Sequence, residues 1–212
     1  MKGLILNNLY TVEKGIKSSI GLTILAISLL LFTQNPVALR VAAFLPFLLI
    51  PVNAFEVLKH DDKSGWSKFE LTLPVERHKI IQSKYITFVL LFSMSLVLTF
   101  VLFYFVHTFL YPTFTNTFFN FLLRGMGGIL AIAALHYPLT YLLGTEKSDT
   151  ITISSMGFCF GMFFIVFMLL ELVIGTVDGF DGIFSVTFFA VSIVLFIVSY
   201  FVSYMIYKNK EF

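Results

Sequence analysis

Apart from one polar stretch, the sequence is a succession of apolar segments, each close to the length needed to cross a lipid bilayer. A hydrocarbon core takes about 20 mostly apolar residues per helix. On that ruler six spans are predicted, at residues 18–34, 38–58, 85–110, 125–143, 151–175 and 183–207. Backbone amides cannot stay unpaired in lipid, so spans must be helices or a closed barrel. The runs are continuous rather than alternating, which excludes a transmembrane barrel. Composition agrees: 58% of residues are hydrophobic and 12% charged, against about 25% charged in a soluble domain. The 212 residues would suffice for one soluble domain, but its surface would have to face lipid. The expected fold class is an all-α membrane protein, with a single six-span domain over 1–212.

Charge placement orients the spans. With both termini in the cytoplasm, twelve of the fourteen Lys and Arg lie inside and only Arg40 and Arg124 outside, as the positive-inside rule requires. The outer loops then read as Tyr111–Asn120, uncharged and aromatic, and Thr176–Gly182, which carries only Asp178 and Asp181. Lys14 and Lys17 precede an apolar run as in a signal peptide, but Leu31-Phe32-Thr33-Gln34-Asn35 offers no small-residue cleavage site and further spans follow; an uncleaved first helix is expected. Residues 3–16 set Leu4, Ile5, Leu9, Val12 and Ile16 on one broad face with Asn7, Asn8 and Lys14 opposite. That suits an N-terminal helix in the cytoplasmic interface; a mobile tail is the plainer alternative.

The polar stretch, residues 59–84, holds six of the fourteen cations and forms a cytoplasmic loop between the second and third spans. Asp62 or Ser64 can cap a short helix, on which Trp66, Phe69 and Leu73 fall at i, i+3 and i+7. Lys63, Ser67, Lys68 and Glu70 occupy other faces. Pro74 ends that helix and favours the first turn of the next, so a cytoplasmic extension of the third span begins near Val75. The residues alone leave open a docking helix or a basic loop lying on the membrane.

The run Asp62-Lys63-Ser64-Gly65-Trp66-Ser67-Lys68-Phe69-Glu70-Leu71-Thr72-Leu73-Pro74-Val75, then Arg77, Lys79-Ile80-Ile81 and Lys84-Tyr85, resembles the signature loop of bacterial ATP-binding-cassette (ABC) exporter permeases. Their pattern is an acidic residue, a Trp, a Leu-Pro step, a basic pair and a Lys-Tyr entering the third span. The likeness is greatest to permease subunits of phenol-soluble modulin exporters. It covers the six-span layout and this loop; His78 stands where basic or polar residues are usual. The resemblance implies a coupling helix seated in a groove of a separate ATPase. Trp66, Phe69 and Leu73 would anchor it, Asp62, Lys63, Lys68 and Glu70 would orient it, and Pro74 completes the coupling residues. It further implies a second permease subunit, identical or related, amphipathic peptide cargo, and a bacterial cell membrane location with both termini inside.

Other features are weaker. The chain shows no glycine-rich phosphate loop, so no cofactor is expected on it, and ATP with its Mg would bind the partner. No role with nucleic acid is expected. Charges within spans are costly and need a reason. Glu171 either faces a substrate path, bonds a neighbouring helix, or sits protonated near the outer interface. Glu56 is a second path candidate, although Lys59 and His60 at i+3 and i+4 offer a local pair. His107 and His136 differ in depth by roughly 10 Å at 1.5 Å per residue, so interhelical bonding is a better reading than haem ligation. His60-Asp61-Asp62 has metal-ligand residue types without ligand spacing. Cys159 lies mid-span and says nothing about redox compartment.

Gly157-x-x-x-Gly161 and Gly127-x-x-x-Ala131 predict close helix contact. Pro46, Pro51 and Pro138 predict kinks. An intramembrane enzyme would need a nucleophile or paired acids at one depth, and a secondary transporter would show inverted repeats or broken helices; neither pattern is found.

Overall fold

The computed structural model of the chain describes residues 1–32, 45–70, 72, 74–109, 115–175 and 179–209. Every regular element among them is helical: α1 (Lys2–Thr11), α2 (Glu13–Phe32), α3 (Leu45–Lys63), α4 (Trp66–Glu70), α5 (Arg77–Phe109), α6 (Thr115–Leu143), a 3-10 turn (Thr145–Lys147), α7 (Ser148–Ile174) and α8 (Phe180–Lys208).

Among the described residues, four stretches are long and apolar enough to cross a membrane: Arg77–Leu102, Phe119–Leu143, Thr145–Ile174 and Phe180–Lys208. They match the last four predicted spans. α2 and α3 cover parts of the first two, and residues 33–44 between them, Arg40 included, lie outside the described residues.

α5 begins at Arg77, close to the extension expected from Val75, so the second half of the polar loop, Lys84 included, is helical. One boundary differs from expectation: α6 is helical from Thr115, so the end of the expected outer loop is helical too. No glycine or proline interrupts Thr115–Arg124, and such a run continues a helix.

Pro46 lies in α3, whose described residues begin at Leu45. α3 runs through Pro51, and α6 through Pro138. Just beyond Pro51, Asn53 Nδ2 donates to the carbonyls of Leu49 at 2.8 Å and Ile50 at 3.0 Å and to Ser19 Oγ of α2 at 2.9 Å.

The chain divides into two compact units, Met1–Phe114 with Tyr204–Phe212, and Thr115–Ser203. In the first, α3 packs on α5 and α2, and α1 on α5. The core is made by two helical stripes: Phe47, Ile50, Ala54, Val57 and Leu58 on α3, and Ile80, Ile81, Phe88 and Leu91 on α5. Phe55 stacks on Phe88 at 5.9 Å.

In the second unit α6 packs on α7, and Ala131, Met162, Val166, Phe184 and Phe188 form the core. A Cβ on Gly127 would lie 2.7 Å from the Phe188 ring, so glycine is needed for that approach. The Gly127–Ala131 spacing therefore works as predicted. Within the chain, a Cβ on Gly157 or Gly161 would meet nothing within 4 Å.

Candidate functional site

The site is built where α1, α3, α4 and α5 converge in the first unit. On α3 the buried stripe Ala54, Val57, Leu58 continues to Asp61; on α5 the stripe Ile80, Ile81 continues to Lys84 before resuming at Phe88. Positions three and four apart share a helix face. Packing the two stripes therefore brings an acid and a base together out of water.

Lys84 Nζ donates to the Asp61 carboxylate, to Asn8 Oδ1 of α1 at 2.8 Å, and to Glu70 Oε1 of α4 at 3.3 Å. Asn8 Nδ2 donates in turn to Thr87 Oγ1 at 3.2 Å and Ser83 Oγ at 3.4 Å. The Lys84, Asp61 and Glu70 side chains are 3%, 5% and 3% exposed, so this is an interior network beneath the polar segment. Buried charges persist only when paired and hydrogen-bonded. Desolvation raises the Asp61 and Glu70 carboxyls above the ordinary carboxylate range, outweighing the pull of Lys84; at Glu70 the neighbouring Asp61 charge adds to the rise.

α4 hangs on this network. α3 ends at Lys63, and the chain reverses through Ser64 and Gly65, whose φ of 74° lies in the left-handed region that glycine enters without steric cost. Ser64 Oγ accepts from the Trp66 N–H at 3.4 Å. Asp62 lies inside α3, so the capping choice falls to Ser64. Trp66 Nε1 donates to Glu70 Oε1 at 2.7 Å, and the Trp66 and Phe69 rings lie 5.2 Å apart. Phe69 is 52% exposed.

The helix stops at Glu70, four residues before Pro74. Thr72 turns back, its N–H and Oγ1 both donating to the Phe69 carbonyl, at 3.0 and 2.8 Å. Further on, Glu76 pairs with His78 at 3.0 Å and Lys79 at 3.3 Å, and Arg77 Nη1 donates to the Lys208 carbonyl at the end of α8.

Of the expected coupling residues, Asp62, Lys63, Phe69 and Pro74 are exposed and Trp66 is half-buried. Leu73 lies outside the described residues, and of Lys68 only the backbone is described. Glu70 is corrected: it points inward. Its i, i+4 relation to Trp66 sets both on one face. Asn8 is corrected for the same reason, since Leu4, Asn8 and Val12 form one buried stripe and Asn8 is not on an opposite, polar face. Lys84 as the hub was missed, and its signal was its register within that buried stripe.

Glu56 is half-buried on α3, and Glu171 is exposed near the end of α7. His136 is buried on α6, edge-on to Tyr137, while the side chain of His107 is outside the described residues. Among the described residues no group of His, Cys, Asp and Glu could hold a metal ion. Arg124, expected in an outer loop, lies in α6, where it pairs with Asp181 at 2.8 Å, donates to Ser185 Oγ at 3.0 Å and lies over the Phe184 ring.

No curated protein matches the chain, and no solved structure does. The family model of the ABC-2 family transporter proteins matches residues 3–208. That is nearly the whole chain, polar segment included; the chain belongs to the ABC-2 family, as a membrane component of an ABC transporter whose family implies an ATPase partner.

Proposed function

We propose that the chain is a non-catalytic, six-span permease half that pairs with a second permease subunit and exports amphipathic peptides of the phenol-soluble modulin type. Two separate ATPases drive it, each gripping α4 as a coupling helix. The observation that carries this reading is the exposed Phe69 beside Trp66 on a five-residue helix set between α3 and α5. An aromatic pair held out on a polar segment is the kind of anchor that fills a partner's pocket. Asp62, Lys63 and Lys68 flank it, and Leu73 and Pro74 follow it.

ATP-driven closure of the ATPases pushes α4 and rocks the helices between inward-open and outward-open states. The cargo assignment rests on the loop resemblance; Glu171 and Glu56 are its candidate polar contacts for a lysine-bearing peptide face.

The test expresses the chain with its ATPase and compares Phe69→Ala, which leaves the Lys84 network intact. Loss of an aromatic anchor costs about 2–4 kcal/mol, so co-purification of the ATPase should fall roughly tenfold or more while the spans still fold. Full retention of ATPase binding would remove the docking role. In the same cells, deletion of the chain should trap amphipathic helical peptides inside. Normal secretion of such peptides would defeat the cargo assignment alone.

A further inference from the structure

A docking helix of five residues has too few backbone hydrogen bonds to be stiff on its own, because helix formation is costly until several turns are made. Segments with few buried contacts open locally, and a push on such a helix would be dissipated in the chain on either side. α4 is followed by Thr72 and by residues 74–76, none of them in regular helix, and preceded by the turn at Ser64 and Gly65. Its stiffness must come from the contact made by its inward face.

That contact is Glu70 on Lys84 Nζ, with Trp66 Nε1 bonded to the same Glu70 oxygen. Lys84 Nζ simultaneously holds Asp61 of α3 and Asn8 of α1, and Lys84 itself belongs to α5. A single ammonium thus ties the docking helix to three other helices, at a depth where solvent does not screen the charges.

We propose that Lys84 is a positioning residue: it locks α4 to α1, α3 and α5, so that force applied to α4 moves those helices together. This rests on the reading of α4 as the ATPase contact, but the lock itself can be measured without any ATPase. Three side chains that face the ammonium come from three other helices. Asp61 comes from α3, Glu70 from α4 and Asn8 from α1. Tyr207, near the end of α8 and in the same unit, is buried. Lysine suits the position because its compact ammonium presents three donors in different directions, one for each of three helices.

The only tryptophan of the chain, Trp66, is a native reporter of the lock. In lipid nanodiscs, Lys84→Met should raise acrylamide quenching of Trp66 by roughly twofold or more, since removing one partner of a buried charge pair frees the element it held. Lys84→Arg should restore most of the protection. Glu70→Ala removes the α4 end alone and should give the same rise, and the double variant should add little, because residues in one network are not additive. Should Lys84→Met fail to fold, Glu70→Ala decides the point by itself. Unchanged quenching in Glu70→Ala would overturn the proposal.

Transmission is read next, with the ATPase bound. A fluorophore on a cysteine at Ser93 of α5, in a Cys159→Ala background, should respond to ATP in the parent and lose most of that response in Glu70→Ala while the ATPase still co-purifies. A full response in Glu70→Ala would overturn the transmission role. A parent chain that binds no ATPase would instead defeat the docking reading, and the quenching comparison would still decide the lock.

Discussion

Asp61 and Glu70 share one buried cation, and at this scale the question is where the second negative charge goes. Burial raises both carboxyls, and Lys84 only partly offsets it; at Glu70 the Asp61 charge adds to the rise, while the Trp66 hydrogen bond opposes it. Two ionised acids against one ammonium would leave a net buried charge, and such a charge is expensive. The closed network therefore holds a proton more tightly than the opened one. The stabilisation from this term is fully present below the ordinary carboxylate values and is lost as pH rises through the raised ones. Trp66 quenching in the parent chain should accordingly increase as pH climbs out of the acid range. The step should shrink in Glu70→Gln, whose amide carries no charge at any pH. Quenching that is flat, or that falls with rising pH, would show that pairing with Lys84 outweighs burial.

Helix periodicity carried most of what was legible at the scale of elements. The last four spans, the short helix after Ser64 and the early start of α5 follow from apolar run length, a capping hydroxyl and a proline. What escaped was contact between helices. Hydropathy alone does not say which charge turns inward, and Lys84 reads as one more loop cation until the Ile80–Ile81 and Val57–Leu58 stripes are aligned with it and Asp61. Residues 33–44 and Leu73 belong to expectations that the described residues do not reach.

Small-residue pairs show the same limit, since two identical-looking spacings have opposite structural fates. At Gly127 an added Cβ meets the Phe188 ring at 2.7 Å and the Phe189 Cα at 3.3 Å; at Gly157 it meets nothing within 4 Å. Overpacking a well-filled contact costs about 1–3 kcal/mol. Gly127→Ala should thus lower the thermal stability of the detergent-solubilised chain, whereas Gly157→Ala should leave it unchanged or slightly raise it through better helix propensity. Equal effects of the two changes would mean that the Gly127 contact relaxes freely.

For the whole molecule the decisive property is which side of the membrane each end of a span faces, because α4 can meet a cytoplasmic ATPase only if residues 59–84 lie inside. The twelve-to-two bias of Lys and Arg supports that orientation. The placement of charge along the helices agrees with it. Lys63 and Glu146 are exposed at connections assigned to the inner side, whereas Arg124 and Asp181, assigned to the outer side, neutralise one another at 2.8 Å. A lone outer arginine would be an anomaly under the charge rule; one paired with an aspartate and lying over Phe184 is an internal contact of its own unit. Single cysteines placed at Lys63 and Glu146 in the Cys159→Ala background should therefore resist an impermeant thiol reagent in intact cells and react once the membrane is opened. A cysteine at Thr115, the first residue of α6, should react from outside. Reaction at position 63 in intact cells would invert the orientation. It would also remove α4 from reach of any cytoplasmic ATPase, leaving the Lys84 network as a structural clamp without a drive to transmit.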